Sequence, residues 1–315
     1  MKILVTGGAG FIGSHLTRRL LQNGTEVTVL DDFNDFYDPQ IKRENVESFG
    51  GKARVIEANI CDADAVNRIF QEGRFDLVVH LAARAGVRPS IQNPRQYIET
   101  NVGGTFNLLE AAKNADCGHF LFASSSSVYG LATTIPFSED LALPQTLSPY
   151  AATKLAGEQL CGNFAYLHGM RVVCLRFFTV YGPGQRPDLA IYKFTDSIYN
   201  GKPIPKFGAG ESRRDYTYVD DIVQGVEGAI KYKGPNFDIF NLGESQTTTL
   251  NELIAALEHT VGKKALIEQL PELKGDMPAT FADISKAKRL LGYDPQTKII
   301  EGIPKFVEWY LKRKK

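Results

Sequence analysis

The segment ILVTGGAGFIGSHL at residues 3–16 constrains the fold more than any other part of the chain. A short aliphatic run leads into Gly7, Gly8, Gly10 and Gly13, and Ile12, Leu16 and Leu20 then repeat at helical spacing. A strand that turns sharply into a helix needs glycine where backbone passes close to backbone, and the spacing fits both G-x-G-x-x-G and G-x-x-G-x-x-G. Such a turn points backbone N–H groups and the positive end of a helix at one crevice, which suits a pyrophosphate. Glycines alone also serve ordinary turns. Here the preceding strand, the following stripe and Asp31 at the end of the second predicted strand agree on a dinucleotide site.

The rest of the first half continues the pattern. Ile3–Thr6, Glu26–Leu30, Arg54–Glu57, Phe75–His80, Phe120–Ala123 and Arg171–Phe177 read as strands, several of them apolar on consecutive residues, as in a sheet covered on both faces. Val66, Ile69 and Phe70 mark one intervening helix, and Phe106, Leu109, Glu110 and Lys113 another whose outer face is polar. The expected fold is α/β: a doubly wound parallel sheet with a smaller, discontinuous substrate-binding lobe. Prolines 183, 187, 203, 205, 271 and 278 break up the later chain, while Phe237–Leu242 reads as a strand returning to the sheet. The expected division is 1–180 plus 235–243 for the dinucleotide domain, and 181–234 plus 244–315 for the lobe.

Composition excludes several classes. Of 315 residues, 43% are hydrophobic, and 36 Lys plus Arg balance 36 Asp plus Glu, so no basic field suggests a nucleic acid. No apolar run is long enough to span a membrane, and Met1-Lys2 leads straight into a strand instead of a signal peptide, so a cytoplasmic location is expected. Cys61, Cys117, Cys161 and Cys174 lack metal-binding spacing and sit among apolar neighbours; buried free thiols and no metal are expected.

Two further features carry chemistry. Tyr150 and Lys154 stand at i and i+4, on one face if helical, where an ammonium favours a phenolate that can act as a base toward a sugar hydroxyl. The strand FLFASSSSVYG ends in Ser124, Ser125, Ser126 and Ser127, at the edge of the sheet where ligands bind; four hydroxyls there are costly to bury unless paired. Asp31 is placed for the adenosine ribose hydroxyls, and Asp32 and Phe33 follow it with no basic residue, which favours NAD over NADP. Asn59 and Ile60 fall where the adenine is expected.

TGGAGFIG, HLAA at His80–Ala83, Asn101, the serine segment, Tyr150-x-x-x-Lys154 and Arg214-Asp215-Tyr216 together resemble the extended short-chain dehydrogenase/reductase family, specifically its NAD-dependent nucleotide-sugar epimerases. The resemblance reaches GDMPATFADISKAKRLLGY near the end of the chain. It implies Ser125, Tyr150 and Lys154 as the catalytic trio, with Asn101 supporting the lysine. It implies NAD contacts at Gly7, Gly10, Phe11, Ile12, Gly13, Asp31, Asn59, Ile60, Leu81, Ala82, Ala83, Asn101, Tyr150 and Lys154. A homodimer through helices around 105–113 and 151–168 is likewise implied.

Within that family FNDFYDPQIKRENV, AARAGVRPSIQNP and RFFTVYGPGQRPDLAIYKF are most similar to UDP-glucuronate 4-epimerases. Thr179 replaces the Asn usual in neutral-sugar epimerases, and Leu273 replaces an Arg, leaving diphosphate neutralisation to Arg214 and Arg186. Ser126, Ser127 and Thr179 are expected to hold a C6 carboxylate, with Arg88 and Arg186 as cationic candidates and Phe207 and Asp276 as further substrate contacts. UDP-glucuronate decarboxylases carry a Glu in the segment where Ser127 stands, which favours epimerisation without loss of carbon dioxide. The alternatives are a UDP-glucose 4-epimerase, a UDP-glucuronate decarboxylase and, from another class, an NAD-binding sensor or scaffold.

Overall fold

A computed structural model of the chain describes residues 1–272 and 279–314. It separates into two compact units: Met1–Ala132 with Ala142–Phe177 and Val226–Phe240, and Thr133–Leu141 with Phe178–Gly225 and Asn241–Lys315.

The first unit is built on β1 (Lys2–Thr6), β2 (Glu26–Asp31), β3 (Arg54–Glu57), β4 (Leu77–His80), β5 (His119–Ser125) and β6 (Arg171–Phe177). Its helices are α1 (Phe11–Gln22), α2 (Pro39–Glu47), α3 (Ala63–Gly73), α4 (Val87–Gln92), α5 (Pro94–Tyr97), α6 (Thr105–Asn114) and α7 (Pro149–His168). The second unit contains β7 (Thr179–Tyr181), α8 (Ala190–Tyr199), β8 (Pro203–Phe207), β9 (Arg213–Arg214) and β10 (Tyr216–Tyr218). α9 (Val219–Lys231) and β11 (Phe237–Leu242) are each divided between the units, and the second unit continues with β12 (Thr248–Thr249), α10 (Leu250–Val261), β13 (Leu266–Leu270), α11 (Ser285–Leu291) and α12 (Ile299–Lys314).

The main sheet is parallel, with order β11-β6-β5-β4-β1-β2-β3, so the chain reverses its direction of growth between β1 and β4. Ligands of such sheets bind outside the carboxyl ends of the strands at that reversal. Strand interiors explain the order: Ile3, Leu4 and Val5 of β1, Leu77 and Val78 of β4, and Phe120 of β5 are fully buried, the signature of strands covered by helices on both faces. Leu16 and Leu20 of α1 and Val66, Ile69 and Phe70 of α3 bury the stripes expected of them.

The structure differs from expectation in several places. Thr133–Leu141 groups with the second unit because Phe137 N–H donates to Phe281 O (2.7 Å) and Asp283 N–H donates to Phe137 O (2.9 Å). The second segment of the first unit stops at Phe177, since Thr179 pairs with Tyr216 in the parallel β7–β10 ladder, and its last segment is Val226–Phe240. Cys61 is exposed rather than buried, its loop leaving β3 at the surface, whereas Cys117, Cys161 and Cys174 are buried free thiols. The outer face of α6 is not wholly polar: Phe106 is 41% exposed and meets the Phe164 ring edge-on. A π-helical stretch, Ile98–Gly104, precedes α6 and carries Asn101.

Candidate active site

The glycine turn between β1 and α1 has the form the sequence requires. Gly7 sits at φ +69°, its N–H donates to Leu30 O (2.7 Å), and a Cβ there would meet the Ala82 backbone at the carboxyl end of β4. A Cβ at Gly13 would collide with the Gly7 carbonyl oxygen, so the first turn of α1 can approach the loop only without a side chain. Phe11 is buried and Ile12 half-buried, and the helix opens with no acidic residue in its first turn. This cradle of bare backbone fits a dinucleotide pyrophosphate.

Asp31 is buried at the end of β2, where its carboxylate accepts from Ala9 N–H (3.2 Å) and Phe33 N–H (3.0 Å). Burial pushes its pKa up, against the pull of Lys42 and these N–H groups. The Lys42 ammonium, buried on α2, lies 3.7 Å from Asp31 and donates to Asn34 O (3.1 Å). Arg84, from the loop after β4, lies 3.6 Å from Asp32. The absence of basic residues immediately after Asp31 therefore does not leave unopposed negative charge, because two cations distant in sequence return to it. Asn59 accepts from Cys61 N–H (2.8 Å), and Ile60 is buried with its side chain against Gly104.

Beneath the reversal point runs a chain of oriented hydrogen bonds. Ala82 N–H donates to Thr6 Oγ1 (3.2 Å), Thr6 Oγ1 pairs with His80 Nδ1 (2.7 Å), His80 Nε2 pairs with Thr105 Oγ1 (2.9 Å), and Thr105 donates to Asn101 O (2.6 Å). Since Thr105 spends its proton on Asn101, His80 donates from Nε2 and accepts at Nδ1 from Thr6. Burial holds the imidazole neutral, its pKa pushed down to about 3. Asn101 clasps the backbone of Arg84, accepting from its N–H (2.8 Å) and donating to its carbonyl (3.0 Å), and donates to Thr153 next to Lys154 (3.0 Å). Leu81, Ala82 and Ala83 are thereby fixed between β4 and this clasp.

Ser148 caps α7 by accepting from Ala151 N–H (3.2 Å), and Pro149 occupies its first turn, so Tyr150 stands at the very start of a 20-residue helix. One turn later Lys154 is buried; its ammonium donates to Ala123 O (2.7 Å) and lies over the Phe122 ring. Burial lowers its pKa to about 8, leaving it mostly protonated at neutral pH. The serines divide. Ser124 is buried and donates to Glu158 (2.5 Å), whereas half-buried Ser125 accepts from Ser127 N–H (3.2 Å) and from the Ser127 hydroxyl (3.0 Å). Ser126 opens the short 3₁₀ turn that follows β5.

Sequence reasoning missed the support under this segment. Glu158, one turn beyond Lys154, forms a buried two-pronged pair with Arg176 of β6 (2.9 and 2.8 Å), and Arg176 donates to the Tyr129 hydroxyl (3.1 Å). An arginine inside the apolar strand VVCLRFF was the available signal, because such a residue requires a buried carboxylate.

In the second unit, Thr179 N–H donates to Asp215 O (3.0 Å). Arg214 lies in β9 opposite Thr248, and Phe207 ends β8. The Arg186 fork is held by Asp188 (2.9 and 2.7 Å), and Arg88 is exposed on α4. Asp215, the middle residue of Arg214-Asp215-Tyr216, is buried, and its carboxylate accepts from the N–H groups of Glu244 (2.7 Å), Ser245 (3.1 Å) and Ala282 (3.1 Å) and from the Thr217 hydroxyl (3.1 Å). Burial holds its pKa up, at about 6. Asp276 and Leu273 lie outside the described residues.

The family model for the NAD dependent epimerase/dehydratase family matches residues 3–243. The chain belongs to this family. It is 42% identical to a UDP-glucuronate 4-epimerase of Thermodesulfobacterium geofontis, over 97% of this chain and 95% of that protein. It superposes with TM-score 0.92 and 37% identity on UDP-glucuronic acid 4-epimerase from Bacillus cereus in complex with UDP-glucuronic acid and NAD, covering 99% and 100% of the two chains. A UDP-glucose 4-epimerase from Thermotoga maritima with UDP-glucose matches at TM-score 0.92 and 34% identity, covering 100% of both. The fold expected of the family is thus the fold present.

Proposed function

We propose that this protein interconverts UDP-glucuronate and UDP-galacturonate by NAD-dependent inversion at C4. Its full-length relatives named for that reaction support the reading, with 42% identity in the protein cited above. The observation that carries the chemistry is the buried Lys154, one helical turn from Tyr150 and hydrogen-bonded to the last buried carbonyl before the serines.

The Gly7–Gly13 turn, Asp31 and the backbone of Leu81–Ala83 would hold NAD, which, when bound, supplies reversible hydride transfer at C4. Tyr150 takes the O4 proton as the sugar's C4 alcohol is oxidised to the ketone and returns it on reduction; the Lys154 ammonium favours the Tyr150 phenolate. Ser125 donates a hydrogen bond to O4, and the Ser127 hydroxyl, which donates to Ser125, turns to the substrate carboxylate instead. The 4-keto sugar is a β-keto acid, prone to lose carbon dioxide. Hydroxyls at Ser126 and Ser127 can bind its carboxylate without a fixed cation and exchange partners as the sugar turns over. Thr179, Arg186, Phe207 and Arg214 are proposed as further substrate contacts. No carboxylate stands at Ser127, which favours epimerisation over decarboxylation.

Incubating the full chain with UDP-glucuronate without added dinucleotide, followed by proton NMR, tests this reading. UDP-galacturonate is expected; a UDP-pentose would assign decarboxylation, a faster reaction with UDP-glucose would assign a neutral-sugar epimerase, and absence of turnover would leave a sensor or scaffold. We also propose a homodimer through α6 and α7, where Phe106 is 41% and Tyr166 88% exposed; light scattering at a monomer mass would refute it. No described helix is long and apolar enough to cross a membrane, and a cytoplasmic location is proposed on the sequence alone.

A further inference from the structure

Arg84 stands out among the buried polar groups. Its backbone N–H and carbonyl are both clasped by Asn101, so its position is fixed from both sides of the peptide. Its side chain is only 14% exposed, yet its guanidinium is unsaturated: Nε is buried with no hydrogen-bond partner among the described residues, and Nη2 stops 3.6 Å short of Asp32 Oδ2. The other Asp32 oxygen is occupied by Asn34, which donates from both its backbone (3.1 Å) and its side-chain amide (2.5 Å). A buried N–H left without an acceptor is costly, more so in a charged group. A fold that holds the residue's main chain so firmly keeps a guanidinium whose hydrogen-bonding capacity Asp32 does not use up.

The surroundings identify the ligand. Arg84 acts electrostatically on Lys42, the partner of Asp31, and on Cys61, which follows Asn59 and Ile60. These groups mark the ends of β2 and β3, the adenosine end of a dinucleotide laid across the glycine turn. Lys42 in turn covers the Tyr37 ring, whose hydroxyl lies 3.9 Å from where a Cβ at Gly10 would be. We propose that Arg84 is a cofactor-binding residue, donating from its guanidinium to an oxygen of the adenosine ribose–phosphate segment of NAD, with Asp32 holding the guanidinium in place. The assignment rests on the NAD site proposed above and gives one of the two cations beside Asp31 and Asp32 a ligand-binding role.

The test is binding, separate from turnover. Co-purified NAD(H) is released by acid and quantified, and the affinities of NAD, AMP, adenosine, nicotinamide mononucleotide and UDP are measured by calorimetry on full-length parent, Arg84→Met, Arg84→Lys and Asp32→Asn. Loss of a charge-assisted hydrogen bond typically corresponds to roughly tenfold to hundredfold in affinity. Arg84→Met is expected to weaken NAD and AMP by the same factor while nicotinamide mononucleotide and UDP bind as in the parent, which also shows the fold intact. A loss shared by adenosine assigns the ribose oxygen; a loss confined to AMP and NAD assigns the phosphate. Arg84→Lys should recover part of the loss, and Asp32→Asn should lose less than Arg84→Met. If the parent binds NAD and Arg84→Met binds it equally well, or if Asp32→Asn reproduces the whole loss, the proposal fails while the NAD site stands. If the parent binds no NAD, the underlying site assignment fails instead.

Discussion

Removing the Glu158 charge with Glu158→Gln leaves the Arg176 guanidinium buried against a neutral amide, beside a side chain that is 2% exposed in the parent. Breaking a buried pair on one side costs about 3–5 kcal/mol, because the remaining charge has lost its counter-ion. The carboxylate also accepts the Ser124 hydroxyl at the end of β5, so the perturbation reaches the serine segment directly. For a unit of this size each kcal/mol corresponds to roughly 2–4 °C, so melting should fall by on the order of 10 °C. The double variant Glu158→Leu/Arg176→Met replaces both charges by apolar groups of similar length and should recover most of the loss. The assay is calorimetric melting of the parent, Glu158→Gln, Glu158→Leu, Arg176→Met and the double, with the parent, the last two singles and the double read as a double-mutant cycle. A shift of less than about 2 °C in Glu158→Gln would refute the reasoning. So would a double variant as unstable as the two single losses added together, since an uncompensated charge could not then be the cause.

Three other outcomes are expected. Gly13→Ala, whose Cβ would strike the Gly7 carbonyl, should abolish co-purified NAD(H) while the far-ultraviolet circular dichroism stays that of the parent; normal occupancy would show that the turn does not hold the cofactor. Tyr150→Phe should lower turnover by about 10²–10⁴-fold with NAD still bound, and near-parent activity would remove the phenol from the reaction. His80 is neutral in the folded chain with its pKa pushed down to about 3, whereas an unfolded histidine titrates near 6.5. The unfolded state therefore binds the extra proton between these values, and acidification through that window destabilises the fold. Relative to His80→Gln, the parent should lose about 1.4 kcal/mol more per pH unit between roughly pH 4 and 6, and parallel denaturation curves would sink the assignment.

What could be read in the sequence was local. The glycine turn, the strand ending at Asp31 and the Tyr150–Lys154 face depend on residues within one strand or helix, where spacing alone decides which groups meet. Lys42 beside Asp31, Arg84 beside Asp32 and Glu158 beside Arg176 join elements separated in the chain, and nothing in their spacing indicates the partner. Ser124 shows the same limit: a run of four serines looked like a uniform ligand surface, but its first hydroxyl turns inward to Glu158. The Thr6–His80–Thr105 relay was invisible because each residue alone reads as an ordinary strand or helix position, and only the parallel register of β1 with β4 brings Thr6 opposite His80. The π-helical stretch around Asn101 is likewise unmarked by any helical period, although its last residue, Gly104, sits where a Cβ would meet the Ile60 side chain.

The central claim is that C4 is inverted by transient oxidation and reduction within one molecule, and the fate of the hydrogen on C4 tests it most directly. UDP-glucuronate is incubated with the protein in D₂O until UDP-galacturonate forms, and both sugars are analysed by proton NMR. Tyr150 exchanges its proton with solvent, but it handles only the O4 proton, so the account predicts that the product retains protium at C4 through many turnovers. Deuterium appearing at C4 as fast as product forms would show that the carbon–hydrogen bond is broken as a proton, contradicting the account.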